Sequence, residues 1–289
     1  MDHKYVIPLI IILLTISGIA YIQYQSVLDT SISDHLNNCI IIGYAVEPPY
    51  AYVSGGNITG ESPEVAQKIV ERIGIPCIIW RQTEFGSLIP ELEAGKIDVI
   101  ASGMFISDDR LKEISFSSPS FRVNQGLLVK SGNPSDIHSY KEAVEKNNVV
   151  ISVLADSVEQ EVFHELGMPE ERLIIVPDTP TGRASVETGK ATGFALSTPS
   201  IRWLASHSTS GEFEEAHPFY QTEIPALRSY GYGAFGFRKQ DRALISAWNS
   251  MMKEYIGCDS HLNLISRFGF SKDEVPVHDD SNLSIRDKS

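Results

Sequence analysis

Short apolar runs alternate with amphipathic stretches along the first half of the chain. Cys39–Ala45 and Ile75–Trp80 are nearly continuous apolar runs bounded by turn residues, which is the pattern of buried strands. Between them, the stretch from Ser62 to Ile73 carries apolar residues at helical spacing. Ser62 is the predicted N-cap of this helix and Gly74 its predicted end. The pattern therefore predicts a β-α-β unit.

The same alternation continues along the chain and then starts again. A helix over Ser87–Ala94, stopped by Gly95, and a strand over Asp98–Ala101 extend the first series. Such alternation is typical of a parallel sheet with helices on its faces. After a loop at Ser131–Pro134, the predicted elements are strand Val149–Leu154, helix Ser157–Leu166, strand Leu173–Val176, helix Thr181–Thr188, strand Gly193–Leu196, strand Tyr230–Phe237, and helices Asp241–Tyr255 and Ser260–Phe268.

This order predicts an α/β protein of two lobes. The first lobe would contain residues 39–128 and 231–275, and the second lobe residues 129–230. Two strands, near Gln125–Lys130 and Tyr230–Phe237, would cross between the lobes. Ligand sites of open α/β sheets lie at the carboxyl ends of the strands, so the cleft between the lobes is the expected binding site.

The N-terminal 25 residues contain an apolar run from Tyr5 to Ile22 that follows Lys4. Its length is that of a signal peptide or a short membrane anchor, and the sequence leaves both open. In either case the rest of the chain is expected to be exported. At the other end, residues 276–289 are polar, which predicts a disordered tail.

The net charge of -13 disfavours nucleic acids and anionic membrane surfaces as partners. The cysteines at positions 39, 77 and 258 form no C-x-x-C or Cys/His pair, so no metal site is predicted. One disulfide with one free thiol is compatible with an exported protein, and the sequence does not choose the pair. The alternative is that the cysteines are buried apolar residues, Cys77 in particular.

Five side chains follow the predicted strands of the first lobe. Glu47 and Tyr50 follow the first strand, Phe85 follows the second, and Phe105 and Arg110 follow the third. Because the carboxyl ends of parallel strands meet at one edge of a sheet, we expect these residues to lie close together. Three rings, an acid and an arginine suit a small zwitterion.

The enzyme motifs G-x-S-x-G, H-E-x-x-H, the P-loop and G-x-G-x-x-G after a strand are missing from the sequence. We therefore expect no catalytic activity and no cofactor. Glu47 is the one residue that a cleft enzyme could use, and a ligand-sensing receptor domain is a further alternative.

One set of residues resembles the family-3 extracellular solute-binding proteins of ABC importers, across residues 38–275. The matching positions are Leu92, Gly95, Asp98, Ser107, Arg110 and Phe116-Ser117-Ser118-Pro119. The resemblance implies a periplasmic-binding-protein type II fold, a monomer, and a permease in the membrane as partner. It also implies that Arg110 binds the ligand carboxylate, for which a planar guanidinium is well suited. The alternative for Arg110 is a surface residue of a helix capped by Ser107.

A narrower resemblance is to the ectoine- and hydroxyectoine-binding proteins of that family. It is carried by Glu47-Pro48-Pro49-Tyr50, Gly60-Glu61-Ser62-Pro63-Glu64, Thr83-Glu84-Phe85-Gly86 and Ile89-Pro90. It implies an aromatic box of Tyr50, Phe85 and Phe105 with Glu47 facing the delocalised cation. A polar amino acid is the alternative ligand.

In the second lobe, amino-acid-binding relatives usually place an aspartate after a strand, where the stretch Gly189–Pro199 has no acid. This favours a cyclic or delocalised cation over a primary ammonium group. Ser157, at the start of a predicted helix, is a candidate for binding a carboxylate through backbone N–H groups. A plain N-cap role for Ser157 is equally compatible with the sequence.

Overall fold

The computed structural model describes residues 35–208, 211–222 and 231–276. The predicted signal peptide or anchor and residues 277–289 of the predicted tail lie outside these ranges. Within them, no helix is long and apolar enough to span a bilayer.

The strands are β1 Ile40–Tyr44, β2 Tyr52–Ser54, β3 Asn57–Thr59, β4 Ile78–Gln82, β5 Val99–Ile100, β6 Ser115–Phe116, β7 Phe121–Arg122, β8 Gln125–Lys130, β9 Ile151–Leu154, β10 Leu173–Val176, β11 Gly193–Ser197, β12 Phe213–Glu215, β13 Tyr232–Gly233 and β14 Gly236–Phe237. The α-helices are α1 Glu61–Ile73, α2 Leu88–Glu93, α3 Asp108–Glu113, α4 Tyr140–Glu145, α5 Val158–Glu165, α6 Thr179–Glu187, α7 Thr198–Ser206, α8 Arg242–Tyr255 and α9 Asp259–Ser266. Short 3₁₀ turns occupy Phe85–Ser87, Glu170–Arg172 and Lys272–Glu274.

Two five-stranded sheets organise the molecule, and each is the centre of one lobe. The first sheet has the order β4-β1-β5-β14-β6, in which β1 is parallel to both of its neighbours. The second has the order β10-β9-β11-β8-β12, in which β11 is parallel to β9 and antiparallel to β8. The prediction of a two-lobed α/β fold is therefore confirmed.

The connection between the sheets differs in detail from the expectation. β8, which was expected to cross between the lobes, pairs with β11 and β12 inside the second sheet. The antiparallel pair of β7 and β13 lies between the two sheets, with Arg122 opposite Tyr232. The expected strand Tyr230–Phe237 is divided into β13 and β14, and Tyr230 lies outside the described residues. The exact lobe boundaries stay a prediction.

Helix α1 begins two residues earlier than the predicted N-cap at Ser62 indicated. Its N-cap is Gly60, whose φ of 124° favours glycine, and a Cβ there would lie 2.3 Å from the carbonyl oxygen of Tyr50. Ser62 is therefore inside the helix, and the predicted N-cap at Ser62 is wrong. Gly74 ends the helix in the left-handed conformation, as predicted.

The second lobe contains a helix that the sequence analysis did not predict, α7. Pro199 lies in its first turn, where the missing N–H has no helical partner to lose. Helix α6 also begins earlier than expected, because the side chain of Asp178 accepts a hydrogen bond of 2.8 Å from the backbone N–H of Thr181.

A disulfide joins Cys39 to Cys77, with a Cα–Cα distance of 4.5 Å. Each cysteine directly precedes a residue of the parallel pair β1–β4, in which Ile40 lies opposite Ile78. Cys77 is exposed, so the reading of Cys77 as a buried apolar residue is wrong. Cys258 is a free thiol.

Candidate functional site

A narrow cavity lies between the two lobes, at the carboxyl ends of β1, β5 and β9. It is lined by Glu47, Phe85, Gly103, Phe105, Arg110, Leu154, Ser157, Val158, Glu159 and Leu196. Two wider grooves adjoin it, and Phe85 lines both of them. The topology thus brings residues that are distant in sequence to one edge of each sheet, as the sequence predicted.

Arg110 is the positive charge of this cavity and is only 5% exposed, which excludes the surface-residue alternative. One guanidinium nitrogen, Nη1, donates to the carbonyl of Phe105 at 2.7 Å, and Nη2 donates to the carbonyl of Asp156 in the second lobe at 2.6 Å. The guanidinium lies 5.5 Å from the centroid of the Phe85 ring. Ser107 caps helix α3 by accepting from the backbone N–H of Arg110, and this fixes the start of the helix that carries the arginine.

Burial lowers the pKa of Arg110, while the carboxylates of Glu161 and Glu159 act in the opposite direction. A guanidinium nevertheless stays protonated in proteins. Its five N–H donors are partly used by the two carbonyls. Within the described part of the chain, the others are available to a ligand carboxylate.

Glu47 lies in the same cavity with 6% of its surface exposed. Its Oε1 accepts a hydrogen bond of 2.9 Å from the hydroxyl of Ser200, which belongs to α7 of the second lobe. Burial, followed by the charge of Glu159, raises the pKa of Glu47 to about 8, against smaller opposing effects of Ser200 and Arg110. In the absence of a bound cationic ligand, Glu47 therefore holds a proton at neutral pH.

Tyr50 lies one layer behind the cavity lining and is fully buried. Its ring packs against Phe121 and Phe270 at centroid distances of 4.8 and 5.4 Å. Gly103, which lines the cavity, lies close to this ring, since a Cβ at Gly103 would lie 2.6 Å from it. The hydroxyl donates to Ser197 Oγ of the second lobe at 3.0 Å. Phe85 and Phe105, in contrast, both line the cavity.

Ser157 also lines the cavity, and its side chain is the N-cap of α5. Its Oγ accepts from the backbone N–H of Gln160 at 3.2 Å, which is the plain capping role that the sequence left open. The preceding residue, Asp156, has a φ of 58° and presents its carbonyl to Arg110.

Glu159 is the site residue that the sequence analysis missed. It lies in the first turn of α5, lines the cavity, and is only 3% exposed. The stretch Gly189–Pro199 does lack an acid, yet the second lobe supplies one from this different element. The only signal in the sequence was an acid in the first turn of a helix, which is ordinary because it complements the helix dipole.

The lobes are held against each other by several polar contacts around the cavity. Besides those of Arg110, Glu47 and Tyr50, Thr179 Oγ1 of the second lobe donates to the carbonyl of Val46 at 3.3 Å. At Gly86 a Cβ would lie 2.5 Å from the carboxylate of Asp156, so the two lobes approach closely there.

Within the described ranges, no group of three or more His, Cys, Asp or Glu residues is arranged to hold a metal ion. The arrangement of one buried guanidinium, two buried carboxyl groups and two rings is suited to binding a charged organic molecule.

Comparisons with known proteins agree with this architecture. The family model for bacterial extracellular solute-binding proteins, family 3, matches residues 40–267. The probable amino-acid ABC transporter periplasmic-binding protein y4tE of Sinorhizobium fredii is 30% identical over 239 residues, covering 82% of this chain and 78% of that protein.

Solved structures of similar fold include EhuB in complex with hydroxyectoine, with a TM-score of 0.73 and 27% identity, covering 85% of this chain and 93% of that one. An ancestral arginine-binding protein bound to glutamine has a TM-score of 0.70 and 18% identity, covering 80% of this chain and 97% of the other. The fold is therefore of the periplasmic-binding-protein type II class, as the resemblance implied.

Proposed function

Because the chain belongs to the bacterial extracellular solute-binding proteins of family 3, we propose that it captures a small zwitterion by closure of its two lobes. The closed form is then presented to the permease of an ABC importer. The N-terminal segment directs export, and the protein acts as a monomer without catalytic activity.

The observation that carries this proposal is the pairing of Arg110 and Glu47 in one cavity. Both are buried, both come from the first lobe, and both contact the second lobe. The ligand carboxylate binds the guanidinium, and its cationic group lies against Glu47 between the rings of Phe85 and Phe105. A ring attracts a desolvated cation by about 0.5–2 kcal/mol, and micromolar affinity requires about 8 kcal/mol. Two rings contribute at most about 4 kcal/mol of this energy, and the charged contacts with Arg110 and Glu47 would supply the rest.

Two ligand classes fit this pose. An ectoine-like compatible solute, with a delocalised cation, is supported by the likeness to EhuB, which was solved in complex with hydroxyectoine. A polar amino acid is supported by the relative from Sinorhizobium fredii, a probable amino-acid ABC transporter periplasmic-binding protein.

The relatives named above are binding proteins, and a dehydratase-like activity or a receptor role is an alternative on the same fold. Either would use the same cavity. The buried Glu47, which holds a proton at neutral pH, is the group such an enzyme would use as an acid.

The test is a thermal-shift titration of the exported protein against ectoine, hydroxyectoine, betaines and the common amino acids. A ligand at a hundredfold above its dissociation constant adds about 2.7 kcal/mol of stability, seen as a rise of a few degrees in Tm. Calorimetry then measures the affinity of each binder. A chain that binds none of these compounds would not be a zwitterion carrier.

A matched pair of variants tests the cavity itself. Phe85→Ala should weaken binding at least several-fold without unfolding the protein, whereas Tyr220→Ala, at an exposed ring of the second lobe, should leave the affinity unchanged. Loss of folding in Phe85→Ala would assign that ring to core packing instead.

A further inference from the structure

The chain continues beyond its last α-helix, α9. The family model ends at residue 267, whereas the structure describes the chain to residue 276. At the end of α9, Arg267 forms an ion pair with Glu64 of α1, which anchors this part of the chain on the first lobe. Gly269, with a φ of 79°, then ends the helical path. Residues 269–276 therefore lie outside the part of the chain that the family model matches, and we call them the C-terminal strap.

The first half of the strap packs against the hinge, by which we mean the antiparallel pair β7–β13 between the two sheets. Phe270 is 3% exposed. The centroid of its ring lies 5.4 Å from that of Tyr50 and 6.2 Å from that of Phe121, a residue of β7. Because packed interiors transmit displacements instead of absorbing them, a ring buried here restricts the positions that the hinge can adopt.

The contacts of Phe270 lead to the ligand cavity along two routes. Phe121 also packs edge to face against Phe105, at a centroid distance of 6.0 Å, and Phe105 lines the cavity. Tyr50 donates from its hydroxyl to Ser197 Oγ of the second lobe at 3.0 Å. Phe270 thus supports one wall of the cavity and one of the contacts that join the lobes.

The second half of the strap reaches the second lobe. Glu274 Oε1 lies 3.8 Å from Nη1 of Arg202 in α7. Glu274 Oε2 accepts hydrogen bonds of 2.8 and 2.6 Å from the backbone N–H and the hydroxyl of Ser271, which together form a capping box. The capping box orients the glutamate towards Arg202. The strap is therefore attached to the first lobe at its start and contacts the second lobe near its end.

We propose that the C-terminal strap holds the two lobes in the closed arrangement, with Phe270 as a positioning residue for the cavity and Glu274 as the contact with the second lobe. This inference rests on the proposed function, in which closure captures the ligand. Opening of the lobes separates Glu274 from Arg202 and disturbs the packing of Phe270 on the hinge. The strap therefore slows ligand release more than it changes association.

The first test needs no bound compound. Small-angle X-ray scattering of the ligand-free protein measures its radius of gyration, which increases when the lobes separate. Phe270→Ala should increase this radius, and Phe270→Leu, which keeps an apolar side chain, should restore most of the wild-type value. Phe268→Ala, at a second buried ring two residues earlier, should lower the Tm in a similar way and leave the radius unchanged.

The second test measures release by stopped-flow kinetics, with hydroxyectoine, glutamine and arginine as probes. Phe270→Ala should release a bound probe at least about tenfold faster, with the association rate within about twofold of wild type.

Glu274→Gln isolates the contact with the second lobe. Glutamine also serves in a capping box, so this change removes only the charge that faces Arg202. Release should be up to about fivefold faster, as expected for a partly exposed ion pair. Asp273→Asn, at the neighbouring exposed acid of the same turn, should release at the wild-type rate.

Each outcome has a defined consequence. If Phe270→Ala keeps the wild-type radius and release rate, or if Phe268→Ala changes both as much, this inference is overturned while the proposed function stands. If Phe270→Ala does not fold, Glu274→Gln decides, and a wild-type release rate in that variant overturns the inference. If none of the three probes binds, the proposed function loses its support, and the scattering comparison still decides whether the strap holds the lobes together.

Discussion

The two lobes contribute to the cavity in different ways. The first lobe supplies two rings, the buried guanidinium of Arg110 and the acid Glu47, all from segments that follow its strands, and the disulfide ties two of these strands together. The second lobe supplies a carbonyl, hydroxyl groups and one acid, all from the start of a helix or from the adjoining strand end. From this difference we infer that the first lobe binds the ligand and the second closes over it. The predictions below test that division.

The largest effect is expected at Arg110, the centre of the first-lobe half. Arg110→Ala should lower the affinity at least a hundredfold, because the ligand carboxylate would be buried without a partner at a cost of several kcal/mol. Titration calorimetry with the ligand that binds most tightly in the thermal-shift panel measures this loss of affinity.

Arg110→Lys is the matched control. It keeps the charge and loses the planar pair of donors, so we expect an intermediate loss. Wild-type affinity in Arg110→Ala would remove the arginine from the ligand site and leave it as a contact between Phe105 and Asp156.

The same division explains what the sequence could reveal. Glu47, Phe85 and Arg110 follow strands of a β-α-β pattern, and the topology alone brings such positions to one edge. Glu159 and Ser200 reach the cavity only because the two lobes pack against each other. Such packing leaves no signal in the local sequence pattern. Tyr50 does not line the cavity and packs against Phe121 and Phe270 instead, because the burial of a whole aromatic layer depends on packing.

Within the fold, the strands and the glycine-ended helices were predictable because their signals are local. Helix α7 was missed, although a proline in a first turn is a start signal. The cysteine pair followed from the register of β1 with β4, and register is set by the assembled sheet. The N-cap of α1 was misplaced because Gly60 is required by the close approach to Tyr50.

The second prediction concerns the disulfide, which is confined to the first lobe. Cys39→Ser/Cys77→Ser should lower the free energy of unfolding by about 3–4 kcal/mol, as expected for a separation of 38 residues. In this double variant, amide hydrogen exchange should show a larger loss of protection in β1 and β4 of the first sheet than in β9 and β10 of the second.

Cys258→Ser is the control and should change stability by less than about 0.5 kcal/mol. Equal loss of protection in both sheets of the double variant would mean that the lobes unfold as one unit.

The third prediction uses Glu61, an acid of the first lobe that lies outside the cavity lining. It is 1% exposed, and Ser62 donates to its Oε2 at 2.7 Å, while its Oε1 has no hydrogen-bond partner among the described residues. Burial raises its pKa to about 7. The native protein therefore keeps this proton over a range in which the unfolded chain has released it.

The direction of the pH dependence follows from the linkage between proton binding and folding. The contribution of Glu61 to the free energy of unfolding is fully present below pH 4.5, the pKa of this group in the unfolded chain. It is lost as the pH rises to about 7, the pKa of Glu61 in the folded protein. Glu61→Gln should flatten this part of the pH profile and, at pH 8, stabilise the protein by up to about 3 kcal/mol. Glu145→Gln, at an exposed acid of the second lobe, should keep the wild-type profile. Chemical denaturation across pH 4 to 8 measures both, and an unchanged slope in Glu61→Gln would refute the assignment.

The smallest effect is expected where the lobes meet through a single hydroxyl. Tyr50→Phe keeps the ring packed on Phe121 and removes only the bond to Ser197 Oγ. A hydrogen bond of this kind contributes about 0.5–1.5 kcal/mol, so the affinity should fall by up to about tenfold.

If closure is the role of the second lobe, the loss of affinity should appear as faster ligand release, with the association rate nearly unchanged. Ser197→Ala should have a similar effect, because besides this bond it removes only a long bond of 3.5 Å to Ser200 Oγ. The double variant should therefore add little to either single change. Stopped-flow kinetics on the three variants decides this. Additive losses would mean that Tyr50 and Ser197 act on the ligand separately, and the division between a binding lobe and a closing lobe would then fail at this contact.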